Sequence, residues 1–240
     1  YLSENANERK FNQAFIDKIP TTLQTLGLSG CFYGTISGSG SSSVEKSSLI
    51  AERFPDLITF NIGRGGGAYF HPDNDDPEGP GNCSLPNVGV KVEYYNAQGS
   101  DFRRFANGDT ASGWYNVKSL PDLKQLELYG NYNLSDNINL ATAGFDSNKL
   151  NYINHGNTGM PMINCNGLSV LENYIGQYLR NSGSFFTNSS GTPAVYTGYK
   201  FAGCDSLKQI NFYASGGLNG PFPKFNHPQM TYLELTYTNI

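Results

Sequence analysis

The chain has 240 residues, room for one large domain, and its 15% of charged residues lies well under the ordinary ~25%. Glycine (28) and tyrosine (16) are abundant instead, and a net charge of −4 removes the electrostatic case for binding nucleic acid or an acidic membrane surface. No apolar run approaches the ~18 residues that a spanning helix needs, so membrane insertion is not expected.

Residues 1–19 carry Phe11, Phe15, Ile16 and Ile19, a spacing that suits a short amphipathic helix or an end cap. After Pro20 a series of short apolar units begins. The first is Leu23, Leu26 and Leu28, with Cys31, Gly34 and Ile36 beyond, and residues 37–48 then form a Ser/Gly-rich loop. The second is Phe54-Pro-Asp-Leu57, Phe60 and Ile62. An insertion loop at about 64–84 follows, long enough to be a candidate functional loop. Its Asp73, Asp75, Asp76 and Glu78 invite calcium, but Pro77 stands where a ligand belongs and Glu78 where the turn glycine belongs. The loop therefore reads as solvated and acidic, with no metal expected. The glycine run 63–67 lacks the following Lys-Ser/Thr and helix of a phosphate loop, so no cofactor is expected either.

The third unit reads Leu85-Pro-Asn-Val88, Val90, Val92. The fourth is the most complete: Leu120-Pro-Asp-Leu123, Leu126, Leu128, Asn131. Alternation puts Leu126 and Leu128 on one face of a short strand. Asn131 is placed to turn inward and hydrogen-bond backbone groups that the bend would leave unpaired. The fifth unit is Leu150, Ile153, His155, Asn157, and the sixth is Cys165-Asn-Gly-Leu168, Leu171, Asn173. The seventh is Cys204-Asp-Ser-Leu207, Ile210, Phe212, and the eighth His227-Pro-Gln-Met230, Leu233, Leu235. First positions at 23, 57, 88, 123, 150, 168, 207 and 230 lie 18 to 39 residues apart. The gap of 18, between the fifth and sixth units, is tight for a full turn and marks one of them as the weakest assignment. One such unit cannot bury its own face, so their recurrence predicts stacking into a common core.

The pattern L-x-x-L-x-L-x-x-N with a variable return resembles the leucine-rich repeats. Leu218-Asn-Gly-Pro-Phe-Pro223 looks like the L-x-G-x-[IF]-P return of plant-type and related bacterial repeats, and Cys31 with Gly34 and Ile36 looks like its Cys-for-Asn form. The Tyr/Gly/Asn/Ser-rich, low-charge style also resembles the leucine-rich-repeat-like proteins of tailed phages. The resemblance covers residues 20–240. It implies a mostly β, right-handed solenoid of about eight coils, with one parallel sheet and irregular returns, read as part of a longer chain. It also implies a binding or structural module, extracellular or on a virion surface, with no targeting segment visible at the N-terminus. The competing fold is a parallel β-helix, as in glycan-degrading phage tailspikes and pectin lyases. Prolines 55, 86, 121 and 228, each just before a strand, favour one strand per coil.

With Leu126 and Leu128 inward, their neighbours point outward, and the frame carried through the units gives three exposed columns. Their C-terminal half holds Gln125, Glu127, Tyr129, Tyr152, Glu172, Tyr174, Gln209, Asn211, Tyr213, Tyr232 and Glu234. Tyrosines among amides and carboxylates suit an adaptable surface for a protein or glycan partner. They equally suit any solvent-facing sheet. For catalysis little is found: no G-x-S-x-G, no H-E-x-x-H, and only Glu127 and Glu172 as an acid pair that could face one another across two coils. A lone His155 in a core column is more often an interior group than a ligand. Cys165 and Cys204 occupy equivalent places, close enough for a disulfide or simply two small buried side chains. Asn82, Asn133 and Asn188 are glycosylation sequons only in a host that uses them.

Overall fold

The structure, a computed structural model, describes residues 10–11, 18–27, 32–33, 54–61, 84–85, 89–99, 104–105, 120–132, 134, 146, 148–180, 183–188 and 195–240. The stretches 37–48 and 64–83, Pro86, the sequons at Asn82 and Asn133, and most of 1–19 lie outside them. Lys10–Phe11 pairs in parallel with Phe32–Tyr33, and Ser84–Leu85 with Arg104–Phe105.

Eight three-residue strands form one parallel sheet in chain order: Thr25–Gly27, Thr59–Asn61, Tyr94–Asn96, Gln125–Glu127, Tyr152–Asn154, Asn173–Ile175, Gln209–Asn211 and Tyr232–Glu234. Their register is common to all. Leu26, Phe60, Tyr95, Leu126, Ile153, Tyr174, Ile210 and Leu233 lie side by side at the strand centres. No helix occurs among the described residues, so the crossover that each parallel pair requires is made by irregular chain. The result is a repeated, solenoid-like stack with one strand of this sheet per unit.

Seven of the eight strands are entered through the same turn, the fifth being entered instead through a Leu150 N–H bond to Asp146 O. Leu57 N–H donates to Phe54 O at 3.2 Å, Leu123 to Leu120 at 3.1 Å, Leu207 to Cys204 at 3.2 Å and Met230 to His227 at 3.1 Å. Pro55, Pro121 and Pro228 take the second place of that turn, where a fixed φ is an advantage and no N–H is needed. The apolar residues at the turn's ends, the strand centre and two places beyond it form a continuous core: Leu120, Leu123, Leu126 and Leu128 in the fourth unit, Cys204, Leu207, Ile210 and Phe212 in the seventh. Asn131 is fully buried, and its Nδ2 donates to Leu128 O and to Ala97 O of the preceding unit, both at 2.8 Å. Thr158, Ser215 and Thr238 hold that place in other units and donate to backbone carbonyls at 2.7 Å. The fifth unit's counterpart of Asn131 is thus Thr158, one residue past the expected Asn157.

Two units are framed differently from the sequence reading. In the third, Val92 takes the entry place expected of Val88, four residues on, and Tyr95 rather than Val90 is the inward centre, five residues on. In the sixth, Leu171 takes the place given to Leu168, and Tyr174 rather than Leu171 is the strand centre. Leu168 instead begins the entry turn, where Leu120 and Cys204 sit. Cys165 and Cys204 are therefore not equivalent. Both thiols are free and buried, with Cys204 Sγ 3.1 Å from Cys165 O, and burial raises the pKa of each.

Neighbouring units are also pinned by ion pairs at matched places: Asp56 with Lys91, Glu93 with Lys124, Asp122 with Lys149, and Glu172 with Lys208. Exposed pairs of this kind fix register more than they stabilise. The return between the sixth and seventh strands is an antiparallel hairpin, Phe186–Asn188 with Tyr196–Tyr199, beside an aromatic cluster of Phe185, Phe201, Phe212 and Phe225. The Leu218–Pro223 return closes on it. Gly220 has φ +89°, and a Cβ there would stand 2.7 Å from Ser184 Oγ and 2.8 Å from the Tyr196 ring, so glycine is required.

Candidate functional site

Among the described residues, in five of the eight units the residue after the strand centre is committed to the backbone that follows. Asn96 Oδ1 accepts from Gln98 N–H at 2.9 Å, Glu127 Oε1 from Tyr129 at 3.1 Å and Asn154 Oδ1 from Gly156 at 3.1 Å. Asn211 Oδ1 accepts from Tyr213 at 3.0 Å, and Glu234 Oε1 from Thr236 at 2.8 Å. These are side-chain-closed turns, the reason amides and carboxylates recur in this column. Of the expected partner-binding residues, Glu127, Asn211 and Glu234 therefore cap turns. Glu127 Oε2 further accepts from Tyr152 Oη and Asn154 Nδ2, each at 3.1 Å. Burial raises the Glu127 carboxyl despite these bonds, and burial, then the Glu127 charge, pushes Tyr152 up to about 12.

Two expected site residues are displaced by the sixth unit's frame. Tyr174 is fully buried, not on the outer face, and Glu172 lies two places before its strand centre with its carboxylate 2.8 Å from Lys208 Nζ. Glu127 and Glu172 thus occupy different columns and do not form the acid pair that a glycosidase would need. Gln125, Gln209, Tyr152 and Tyr232 precede their strand centres, Gln125 and Tyr232 on exposed ground. Tyr129 and Tyr213 follow three places after their centres, half-buried.

The place four residues after each centre carries what the sequence reading missed. Its N–H continues the inter-unit ladder: Gly130 donates to Gly156 O at 2.9 Å, Tyr178 to Tyr213 O at 2.9 Å and Ala214 to Thr236 O at 2.8 Å. To do so while the chain turns into its return, the residue takes a left-handed conformation. Gly99 and Gly130 have φ of 64° and 79°; Asn157, Tyr178, Ala214 and Tyr237 adopt 55°, 57°, 54° and 58°. Glycine or asparagine suits such a place, whereas a tyrosine is strained there by about 1–2 kcal/mol. Two units nevertheless use tyrosine, and both rings are exposed, Tyr178 by 38% and Tyr237 by 74%.

These rings join their neighbours in a row. Tyr178 and Tyr213 meet edge-to-face at 5.6 Å between centroids, and Tyr213 and Tyr237 at 5.7 Å. Tyr129 continues it, resting over Gly156 with its side chain against that of Asn157; burial raises its pKa, and Tyr178 and Tyr132 add to the shift. The Arg180 guanidinium lies 5.3 Å from the Tyr132 ring centre. Beside Tyr178 is an open hollow of about 290 Å³, lined by Asn157, Tyr178, Leu179, Arg180, Ala214, Gly216 and Gly217.

No family model, curated protein or solved structure matches the chain. Among the described residues no cluster of three or more His, Cys, Asp or Glu could hold a metal.

The strained place gives a direct test. Tyr178→Gly is expected to keep thermal stability level or raise it by up to ~1 kcal/mol, since relief of the left-handed conformation offsets loss of a half-exposed ring. A clear drop in melting temperature would make Tyr178 a packing residue.

Behind the sheet, His155 is fully buried beside Tyr174, with Nε2 2.6 Å from the tyrosine oxygen and Nδ1 unpartnered among the described residues. Burial, with Lys200 nearby, lowers its pKa to about 3. The unfolded chain takes up this proton near pH 6.5 and the folded chain only near pH 3, so stability is full above pH 6.5 and falls between those values. His155→Leu, which copies Leu128 in the same column, should flatten the loss between pH 7 and 4. Parallel acid limbs for both proteins would contradict the burial.

Proposed function

We propose that this chain is a non-enzymatic, leucine-rich-repeat-like module, a right-handed solenoid of about eight coils. It serves as a structural or adhesive part of an extracellular or virion assembly, of the phage-tail kind. One observation carries the reading. The described carboxylates along the sheet are committed to ion pairs or turn caps, and the most exposed ring left to meet a partner is Tyr237 at the strand ends, with Tyr178 beside it. Rigid aromatic rings with amides between them give large contact area at low entropy cost, which suits surface attachment rather than acid–base chemistry. The Asn131 bonds support the leucine-rich-repeat-like reading, and the further parallel pairs in the returns, Lys10–Phe11 with Phe32–Tyr33 and Ser84–Leu85 with Arg104–Phe105, are only two residues long, short of the several full sheets per coil of a parallel β-helix.

A second reading, a receptor-type ectodomain that binds a peptide, protein or glycan on the open sheet face, draws support from exposed Gln125 and Tyr232. Alanine scanning separates the two, read as attachment to the native particle or surface. The adhesive reading expects sensitivity at Tyr178, Tyr213 and Tyr237. Sensitivity confined to Gln125, Gln209 and Tyr232 would favour the receptor. Fractionation that finds the protein free inside cells, bound to no particle or surface, would overturn both.

A further inference from the structure

We propose that the hollow at the strand ends holds a carboxylated sugar of an acidic polysaccharide, whose chain runs along the tyrosine row. This names a partner for the adhesive reading and rests on it. Three consecutive units deliver Asn157, Tyr178 and Ala214 to the hollow in the left-handed conformation, and tyrosine is the costly choice at that place where glycine serves elsewhere. Strain kept at an open hollow points to a task for the exposed ring.

The lining matches a pyranose. Sugar C–H bonds are polarised by their oxygens and rest against the electron-rich face of an aromatic ring, which Tyr178 supplies. The Asn157 amide and the Gly216 N–H can hydrogen-bond ring hydroxyls, whereas the Gly217 N–H and C=O are held by Leu179 O and Gly183 N–H. At about 290 Å³ the hollow sits at the small end of ligand sites, right for a sugar or two and too small for the anchor side chains of a protein partner.

One local cation, on a chain whose net charge is −4, favours the acidic kind at this place. Lys91, Lys124, Lys149 and Lys208 are each paired with a carboxylate of the adjoining unit. Arg180 has no carboxylate partner among the described residues; it lies over Tyr132 and lines the hollow, where its planar fork can take a carboxylate by two parallel bonds. Tyr237 repeats the Tyr178 place two units on, at roughly two strand spacings or ~10 Å, with Tyr213 bracing both. Alternate sugars of one chain can therefore rest on alternate tyrosines.

The test is affinity electrophoresis of the full chain in gels containing polygalacturonate, alginate, or polygalacturonate reduced at its carboxyl groups. The proposal expects retardation by an acidic polymer that weakens at least tenfold on carboxyl reduction. Tyr178→Gly should weaken it about tenfold or more. Arg180→Gln, an exposed change with no bearing on the core, should abolish the preference for the acidic over the reduced polymer. Equal retardation by both polymers, or variants that behave as the parent, overturns the proposal. So does no retardation by any of them while the protein still attaches to its native surface through Tyr178 and Tyr237; that result leaves the adhesive reading standing with a protein partner. Loss of attachment sensitivity at those tyrosines would instead remove the adhesive reading itself.

Discussion

Leu126→Asp is expected to destroy the cooperative unfolding of the fourth and neighbouring units. Leu126 is buried at the centre of Gln125–Glu127, paired in register with Tyr95 on one side and Ile153 on the other. A carboxylate there has no cation and no donor within the apolar column, and its burial costs several kcal/mol. That is a large part of the stability of a whole domain. Urea unfolding followed by circular dichroism should show a collapsed or much earlier transition. Lys124, two residues away, is partly exposed and pairs with Glu93 at the surface, so Lys124→Ala should change little. A soluble Leu126→Asp protein with the parent's midpoint would mean that the strand faces the other way.

Tyr174 carries the second large effect, and it decides the frame of the sixth unit. Its ring lies 4.9 Å from Phe201, 5.3 Å from His155 and 5.7 Å from Phe212 between centroids. Its hydroxyl oxygen accepts from Ile163 N–H at 2.9 Å and meets His155 Nε2. Tyr174→Ala should cost about 3–5 kcal/mol through lost burial and the cavity left behind. Tyr174→Phe keeps the volume but leaves the Ile163 N–H and a histidine nitrogen without partners, a loss of about 1–3 kcal/mol. On the frame read from sequence, Tyr174 would face solvent and both variants would be nearly silent. Thermal unfolding of the pair distinguishes the frames.

The strands were legible wherever the inward residue is aliphatic or phenylalanine. Leu26, Phe60, Leu126, Ile153, Ile210 and Leu233 are all strand centres, as the alternation implied. The frame slipped at the two units whose centre is tyrosine, Tyr95 and Tyr174. A tyrosine in a Tyr-rich chain reads as a surface residue, and its burial depends on partners for its hydroxyl that lie far along the chain. The slip in the sixth unit was self-consistent, because Leu168 and Leu171 repeat the Leu-x-x-Leu step that also occurs as Leu120 and Leu123. Entry-turn residues are as buried as strand residues, so spacing alone cannot separate them.

The candidate surface was legible only in part. Tyr129 and Tyr213 follow from alternation, but Tyr178 and Tyr237 lie past the strand, where alternation has ended. Their signal was Gly99 and Gly130 at the same offset in other units, a glycine place occupied by tyrosine. It became readable only once the frame of the sixth unit was correct. The turn-capping role of Glu127, Asn211 and Glu234 was likewise hidden, since carboxylates and amides on a strand's outer face look the same in sequence whether they cap or bind.

The central claim is a single register, which sends Tyr95 and Tyr174 into the core and Tyr178 and Tyr237 out to the rim. Tyrosine nitration at neutral pH, mapped by peptide mass spectrometry before and after unfolding, tests it most directly. Rapid modification is expected at Tyr237, slower modification at Tyr178, and none at Tyr95 or Tyr174 until the chain is unfolded. Nitration of Tyr174 in the folded protein as fast as that of Tyr237 would contradict it.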